Sequence, residues 1–193
     1  MSEVRQDAEI GPQVMEDFEV LQRAKSNLED FRPLYEKYFK PVFLFVLRKI
    51  SDKELTADIT SQVFLKAMSK LDQFEFRGAP FQAWLYRIAI NECTDYFRKS
   101  KRYRFVAVDE TSFETLHQEL TNEDTAYRLQ NDLPILLESL SPDELHLIEL
   151  RYFEARPFKE VAEILGLTEA NTKVRTYRTL DKMRKHFLKR RSK

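Results

Sequence analysis

Residues 141–185 read SPDELHLIELRYFEARPFKEVAEILGLTEANTKVRTYRTLDKMRK, and this stretch decides the fold. Ser141 and Glu144 make the pattern S-x-x-E, in which the two side chains satisfy free amides at a helix start. Pro142 falls at the first helical position, where its missing N–H is no loss. Leu145, Ile148 and Tyr152 continue one face. Phe158–Leu165 predicts a second helix, with Val161, Ala162 and Leu165 inward. Gly166 stands where a left-handed cap is needed, and Thr168 can cap the helix after it. Ala162 and Gly166, four apart, let two helices cross closely. Helix, short glycine turn and helix with a cationic face is the helix-turn-helix layout. The last helix is expected to pack through Val174, Tyr177, Leu180 and Phe187. From Lys173 to Lys193 it carries ten cations and one acid, Asp181. Asn171, Lys173, Arg175 and Arg178 are expected to point outward into a major groove. Asn and Arg have the forks that read base edges, whereas Lys and Thr mostly hold phosphate.

Working outward, a second helical block precedes this one. Phe31, Leu34, Tyr35, Tyr38, Val42, Phe45 and Val46 recur at helical spacing, with Pro41 expected to kink or break the helix. Ser51 and Glu54 repeat the S-x-x-E pattern before a helix carrying Leu55, Ile59, Val63, Ala67 and Leu71. Residues 72–80, DQFEFRGAP, read as a loop. A third helix starts near Pro80 and carries Phe81, Leu85, Ile88 and Ala89. It runs into Arg98, Lys99, Lys101, Arg102 and Arg104, a density that favours phosphate contact over helix termination alone. Trp84 and Tyr86 on this helix are expected to be buried rather than to wedge a duplex apart.

Charge is arranged in blocks. Residues 1–30 carry 3 basic and 8 acidic residues, 31–103 carry 14 and 8, 104–132 carry 2 and 7, and 133–193 carry 13 and 9. The net charge of zero therefore hides two cationic blocks separated by acidic ones, as expected for a polyanion touched at two places. The predicted fold is all-α: two small helical domains, 28–103 and 133–193, an acidic linker over 104–132 with a short helix near 124–131, and an acidic tail over 1–27.

Composition excludes several functions. With 3 glycines in 193 residues, glycine-rich phosphate loops are absent and a turn-rich β fold is disfavoured. The lone Cys93 rules out an internal disulfide. No apolar run approaches the about 18 residues of a membrane span, and the acidic start is unlike a signal peptide. A cytoplasmic location is expected. His146, between Glu144 and Glu149, reads as surface; His117 and His186 have no partner at ligand spacing. No triad or paired-carboxylate motif is visible, so neither enzyme activity, cofactor nor metal is expected.

Three segments are familiar: LYEKYFKPVFLFV (34–46), ADITSQVFLKAMSKLDQF (57–74) and FQAWLYRIAINECTDYFRKSKR (81–102). They resemble region 2 of bacterial RNA polymerase sigma factors, the extracytoplasmic-function class in particular. Residues 140–185 resemble region 4 of the same family. The chain departs from the family at Ser61-Gln62, where Gln-Glu is usual, and at Thr172 and Thr176, where apolar residues are preferred.

The resemblance implies a subunit that binds core RNA polymerase, through its beta and beta-prime subunits, and directs it to promoters. Thr168, Asn171, Thr172, Lys173, Arg175 and Arg178 would hold the duplex minus-thirty-five element. Arg87, Asn91, Asp95, Arg98, Lys99 and Arg102 would lie against the minus-ten element and its separated single strand. Phe74, Phe76 and Arg77 would join a pocket for a flipped base, or the phenylalanines would plug the core. Asp58, Ser61, Gln62 and Leu65 would dock the polymerase clamp helices. The acidic linker would run toward the template and RNA-exit path. An anti-sigma factor is a further partner that the family admits, and the free chain is expected to be monomeric. Two rivals remain at this point: a stand-alone helix-turn-helix regulator and a protein-only helical adaptor.

Overall fold

The structure is a computed structural model that describes residues 12–75, 79–100, 110–120 and 126–191. The described residues are helices and turns, and the chain divides into two compact units, Met1–Val106 and Ala107–Lys193. No described helix is long and apolar enough to cross a membrane.

The first unit contains α1 (Pro12–Ser26), α2 (Arg32–Ile50), α3 (Lys53–Ser69) and α4 (Phe81–Ser100), with 3₁₀ turns at Leu28–Phe31 and Leu71–Gln73. Helices α2, α3 and α4 pack on one another around Leu34, Val42, Phe45, Val46, Val63, Phe64, Phe81, Leu85 and Ala89. Helix α2 runs through Pro41 instead of ending there. An interior proline costs roughly 3 kcal/mol. Burial of Leu34, Tyr38, Val42, Phe45 and Val46 on the same helix offsets it, at roughly 1.5–3 kcal/mol per large side chain. Ser51 does not start α3. It closes α2 in the left-handed region at φ 58°, donating its amide to the Leu47 carbonyl at 2.8 Å. Only Ser51 and Asp52 link the two helices, so the N-cap falls to Asp52, whose carboxylate accepts the Leu55 amide at 3.0 Å.

The segment read as an acidic tail contributes a helix to this core. In α1, Val20, Leu21 and Ala24 are buried, and Asp17 is buried with them. The Asp17 carboxylate accepts from the Tyr38 hydroxyl and from Lys37 Nζ, both on α2. Burial, and then the bond to Asp17, push the Tyr38 phenol well above its usual range. A charge balance of eight acids to three bases concealed this helix, because only one stripe of it needs to be apolar.

The second unit contains α5 (Glu110–Leu120), α6 (Ala126–Glu138), α7 (Pro142–Ile148), a π turn over Glu149–Phe153, α8 (Phe158–Leu165) and α9 (Glu169–Arg191). The linker reading gives way here. Helix α5 buries Leu116 and Leu120 and packs on α9 and the π turn. Its C-terminus is held by Arg184 of α9, which donates to the Glu119 carbonyl at 2.6 Å and the Leu120 carbonyl at 3.1 Å. Helix α6 begins at Ala126 and contains much of the short helix expected near 124–131. Residues 104–109 and 121–125 of the linker lie outside the described residues, as do residues 1–11.

The capping box opens α7 as expected: Ser141 Oγ accepts the Glu144 amide at 3.3 Å, and Glu144 Oε2 accepts the Ser141 amide at 2.7 Å. The Lys182 ammonium, 2.7 Å from Glu144, is the main cause that holds this carboxyl below its ordinary range. Gly166 caps α8 at φ 69°, and the Leu167 amide reaches back to the Ala162 carbonyl at 2.9 Å. Two sequence readings need correction. The inward residue at the end of α8 is Ile164 rather than Leu165. His146 is buried rather than on the surface, because α7 packs against both α9 and the π turn and little of so short a helix stays outside.

Candidate nucleic-acid interface

Helix α9 presents two different faces. The buried one is Thr172, Thr176, Thr179, Leu180, Met183 and Phe187. Val174 and Tyr177, expected to pack, are 47% and 50% exposed. Small threonines suit a side of α9 that is packed on by α5, α6, α7 and α8. Their hydroxyls turn to the backbone: Thr172 Oγ1 donates to the Thr168 carbonyl at 3.0 Å, and Thr179 Oγ1 to the Arg175 carbonyl at 2.9 Å. Thr172 is therefore not a DNA contact, since its side chain is wholly buried. The buried Thr176 hydroxyl has no partner. Thr176→Val keeps the shape and removes that orphan, so chemical denaturation should show the second unit more stable by about 1 kcal/mol.

The exposed face carries Asn171, Val174, Arg175 and Arg178 at spacings of three, one and three. Thr168 Oγ1 accepts the Asn171 amide at 3.2 Å and so caps the helix. Arg175 Nε donates to Asn171 Oδ1 at 3.1 Å, which fixes two forked side chains against each other. Lys173 stands apart, 2.6 Å from Glu169 of its own first turn. Arg178 makes no ion pair among the described residues. Val174 was missed as a candidate contact. Its place three residues from Asn171 and four from Arg178 was the available signal, and its methyls suit a thymine methyl.

In the first unit, Arg87, Asn91, Arg98 and Lys99 are exposed on α4, and Asp95 is half-buried and 2.9 Å from Arg98. Asn91 and Asp95 join Lys66 of α3 and Lys70 just past its end around a polar cleft of about 340 Å³. Lys66 is tied across it to Glu92. Phe74 belongs to the core: it is 8% exposed, its ring 5.6 Å from Phe81 and 5.1 Å from Trp84. It cannot stack on a base while so packed. Trp84 is half-buried against Phe74 and Phe81, and Tyr86 is buried against Phe45 at 4.8 Å. Lys25 of α1 donates to the Phe74 carbonyl at 3.0 Å, so α1 is tied to the chain just after the Leu71–Gln73 turn. Phe76, Arg77 and Arg102 lie outside the described residues.

On α3, Asp58, Ser61, Gln62 and Leu65 are exposed together along one side, opposite buried Ile59, Val63 and Ala67. Leu65, at 54% exposure, gives this otherwise polar row an apolar end.

Two family models match the chain. Sigma-70 region 2 covers residues 34–103, and Sigma-70 region 4 covers residues 136–185. The chain is similar to the ECF RNA polymerase sigma factor BldN of Streptomyces coelicolor, 28% identical over 165 residues, spanning 84% of this chain and 62% of BldN. It is also similar to the ECF RNA polymerase sigma factor SigX of Bacillus subtilis, 26% identical over 164 residues, with 82% of this chain and 84% of SigX covered. The solved structure of CnrH in complex with the cytosolic domain of CnrY shares the fold, with a TM-score of 0.50 and 22% identity over 85% of this chain and 91% of that one. The chain belongs to the sigma-70 family of RNA polymerase sigma factors, in its extracytoplasmic-function class.

Proposed function

We propose that this sigma factor docks on core RNA polymerase, reads a duplex upstream element with α9, and holds one strand of the minus-ten region apart with its first unit. The exposed Asn171–Val174–Arg175–Arg178 face of α9 carries the reading. A helix-turn-helix sets its second helix in the major groove, and this face offers two forks and an apolar contact at the groove floor. Thr168 and Lys173 flank it as phosphate contacts. Strand separation costs roughly 1–2 kcal/mol of stacking per step. The cleft beside Asn91, Asp95 and Lys70 has polar groups for an extruded base. Arg87, Arg98, Lys99 and Arg102 would hold the adjoining phosphates, with Phe76 and Arg77 at the loop.

Run-off transcription with core polymerase, with and without this chain, tests the proposal: start sites that depend on the chain are expected. A stand-alone regulator would instead bind the same promoter specifically with no polymerase present. An anti-sigma partner is compatible with the exposed Asp58–Leu65 row, because a surface that docks polymerase can be masked by a competitor.

Two variants separate the surfaces. Arg175→Ala or Arg178→Ala should each weaken holoenzyme binding to the upstream element by about 1–3 kcal/mol and relax its sequence preference. Unchanged promoter affinity in both would remove the groove assignment. Gln62→Arg places a cation in the exposed α3 row, and should lower co-purification with core polymerase while leaving the melting temperature of the chain unaltered. Equal recovery with core would count against the α3 surface.

A further inference from the structure

The cationic face of α9 does not stop where base reading should. Asn171 to Arg178 covers about 10 Å of helix axis, comparable to the roughly 12 Å width of the major groove. The same face continues through Lys182 and Lys185 to Lys189, about 16 Å farther. The chemistry changes along the way. The first half offers forked Asn and Arg side chains, and the second half offers lysine point charges beside His186, while Arg184 and Arg190 are engaged by Asp181 and Asp132. Arg178, Asp181, Lys182, Lys185, His186 and Lys189 line a shallow groove of about 510 Å³.

The charges in this second half are unequally engaged. Lys182 is held by Glu144, 2.7 Å away on α7. Asp181, the one acid of the stretch, is taken by Arg184 at 2.6 Å. Lys185 and Lys189 are exposed and pair with no carboxylate among the described residues. Two free ammonium groups one helical turn apart thus extend a base-reading face past the edge of the groove it enters.

We propose that Lys185 and Lys189 form a phosphate clamp on the DNA backbone flanking the upstream element, distinct from the base-reading residues of the same helix. The proposal rests on the placement of α9 in the major groove. Its occupant is duplex DNA, recognised by phosphate charge and not by sequence. Lys182 is excluded from the clamp, since it ties α9 to the capping box of α7.

The test compares wild-type holoenzyme with K185Q/K189Q, using a promoter fragment selected by run-off transcription and a scrambled duplex of equal length. Binding is measured from about 50 to about 200 mM salt. The double variant should lower the slope of log K against log salt by about 0.9 for each phosphate that is no longer neutralised, close to 2 in all. Its affinity should fall by the same factor on both duplexes, leaving discrimination intact, and K185R/K189R should restore the slope. An unchanged slope, or a weakening confined to the promoter fragment, would overturn the clamp. So would weaker binding of the double variant to core polymerase without DNA, which would make this face a protein-docking surface. If wild-type holoenzyme fails to discriminate the two duplexes, the groove placement itself fails. If it discriminates and R175A relaxes that preference while K185Q/K189Q keeps the wild-type slope, the clamp alone is wrong.

Discussion

Phe81→Ala is expected to destabilise the first unit by about 3–5 kcal/mol, the usual range for truncating a buried phenylalanine. Phe81 opens α4 and is fully buried. Its ring meets Phe31, Tyr38 and Phe74 edge-on at 6.0, 5.9 and 5.6 Å, and Trp84 at 5.6 Å. Four elements therefore converge on one side chain: the 3₁₀ turn before α2, α2 itself, the turn after α3, and α4. Removal leaves a cavity that these aromatic rings cannot all collapse to fill. Urea unfolding followed by Trp84 fluorescence reads the effect directly, since the indole lies on the same cluster. A destabilisation below about 1 kcal/mol would mean that the cluster is not a core. Promoter opening should fail before polymerase binding does, because Phe74 packs on Phe81 beside the α4 residues proposed for the minus-ten region, and the Asp58–Leu65 row lies on the far side of α3 from the buried Ile59 and Val63.

Phe187→Ala should cost the second unit a similar amount, about 3–5 kcal/mol. Phe187 is fully buried near the C-terminal end of α9, well past the residues assigned to base reading. Helices α5, α6, α7 and α8 all pack on α9, so the effect should be felt by the whole unit rather than by a fraying end. Hydrogen exchange provides the decisive reading. Amides of α5 should lose protection together with those of α8 and α9. Deprotection confined to α9 would show that α5 is an independent segment and not part of the domain. Upstream-element binding should weaken in proportion to the unfolded fraction, with the specificity of the remaining folded protein unchanged.

Much of this architecture could be read from local chemistry. Ser141 with Glu144, Gly166 and Thr168 each stand where the structure uses them, because a cap is satisfied by residues three or four positions away. The polar and cationic outward residues Asn171, Lys173, Arg175 and Arg178 were also legible, since charged groups rarely enter a core unpaired. The same local logic failed at Ser51. It fits a capping box by spelling, but a connection of two residues forces it to terminate α2 instead.

Packing partners were not legible. By sequence Thr172 was open to a DNA contact, and Val174 and Tyr177 look like core. The structure buries Thr172 and leaves Val174 and Tyr177 about half exposed, with Tyr177 at the rim against the Phe158 ring of α8, 6.0 Å away. Phe74 could have served a base pocket or the core equally well by sequence, and only the rings of Phe81 and Trp84 decide for the core.

By itself, then, the sequence determined the helical class, the caps at Ser141, Gly166 and Thr168 and the charged face of α9, all of which depend on neighbours within about one helical turn. Tertiary structure alone decided that α1 and α5 belong to the two cores and that threonines line the buried side of α9. It also decided which cations remain free of carboxylates. The physical reason is that burial and pairing depend on surfaces supplied from distant parts of the chain: Lys25 finds Phe74, Arg184 finds Glu119, and Lys182 finds Glu144.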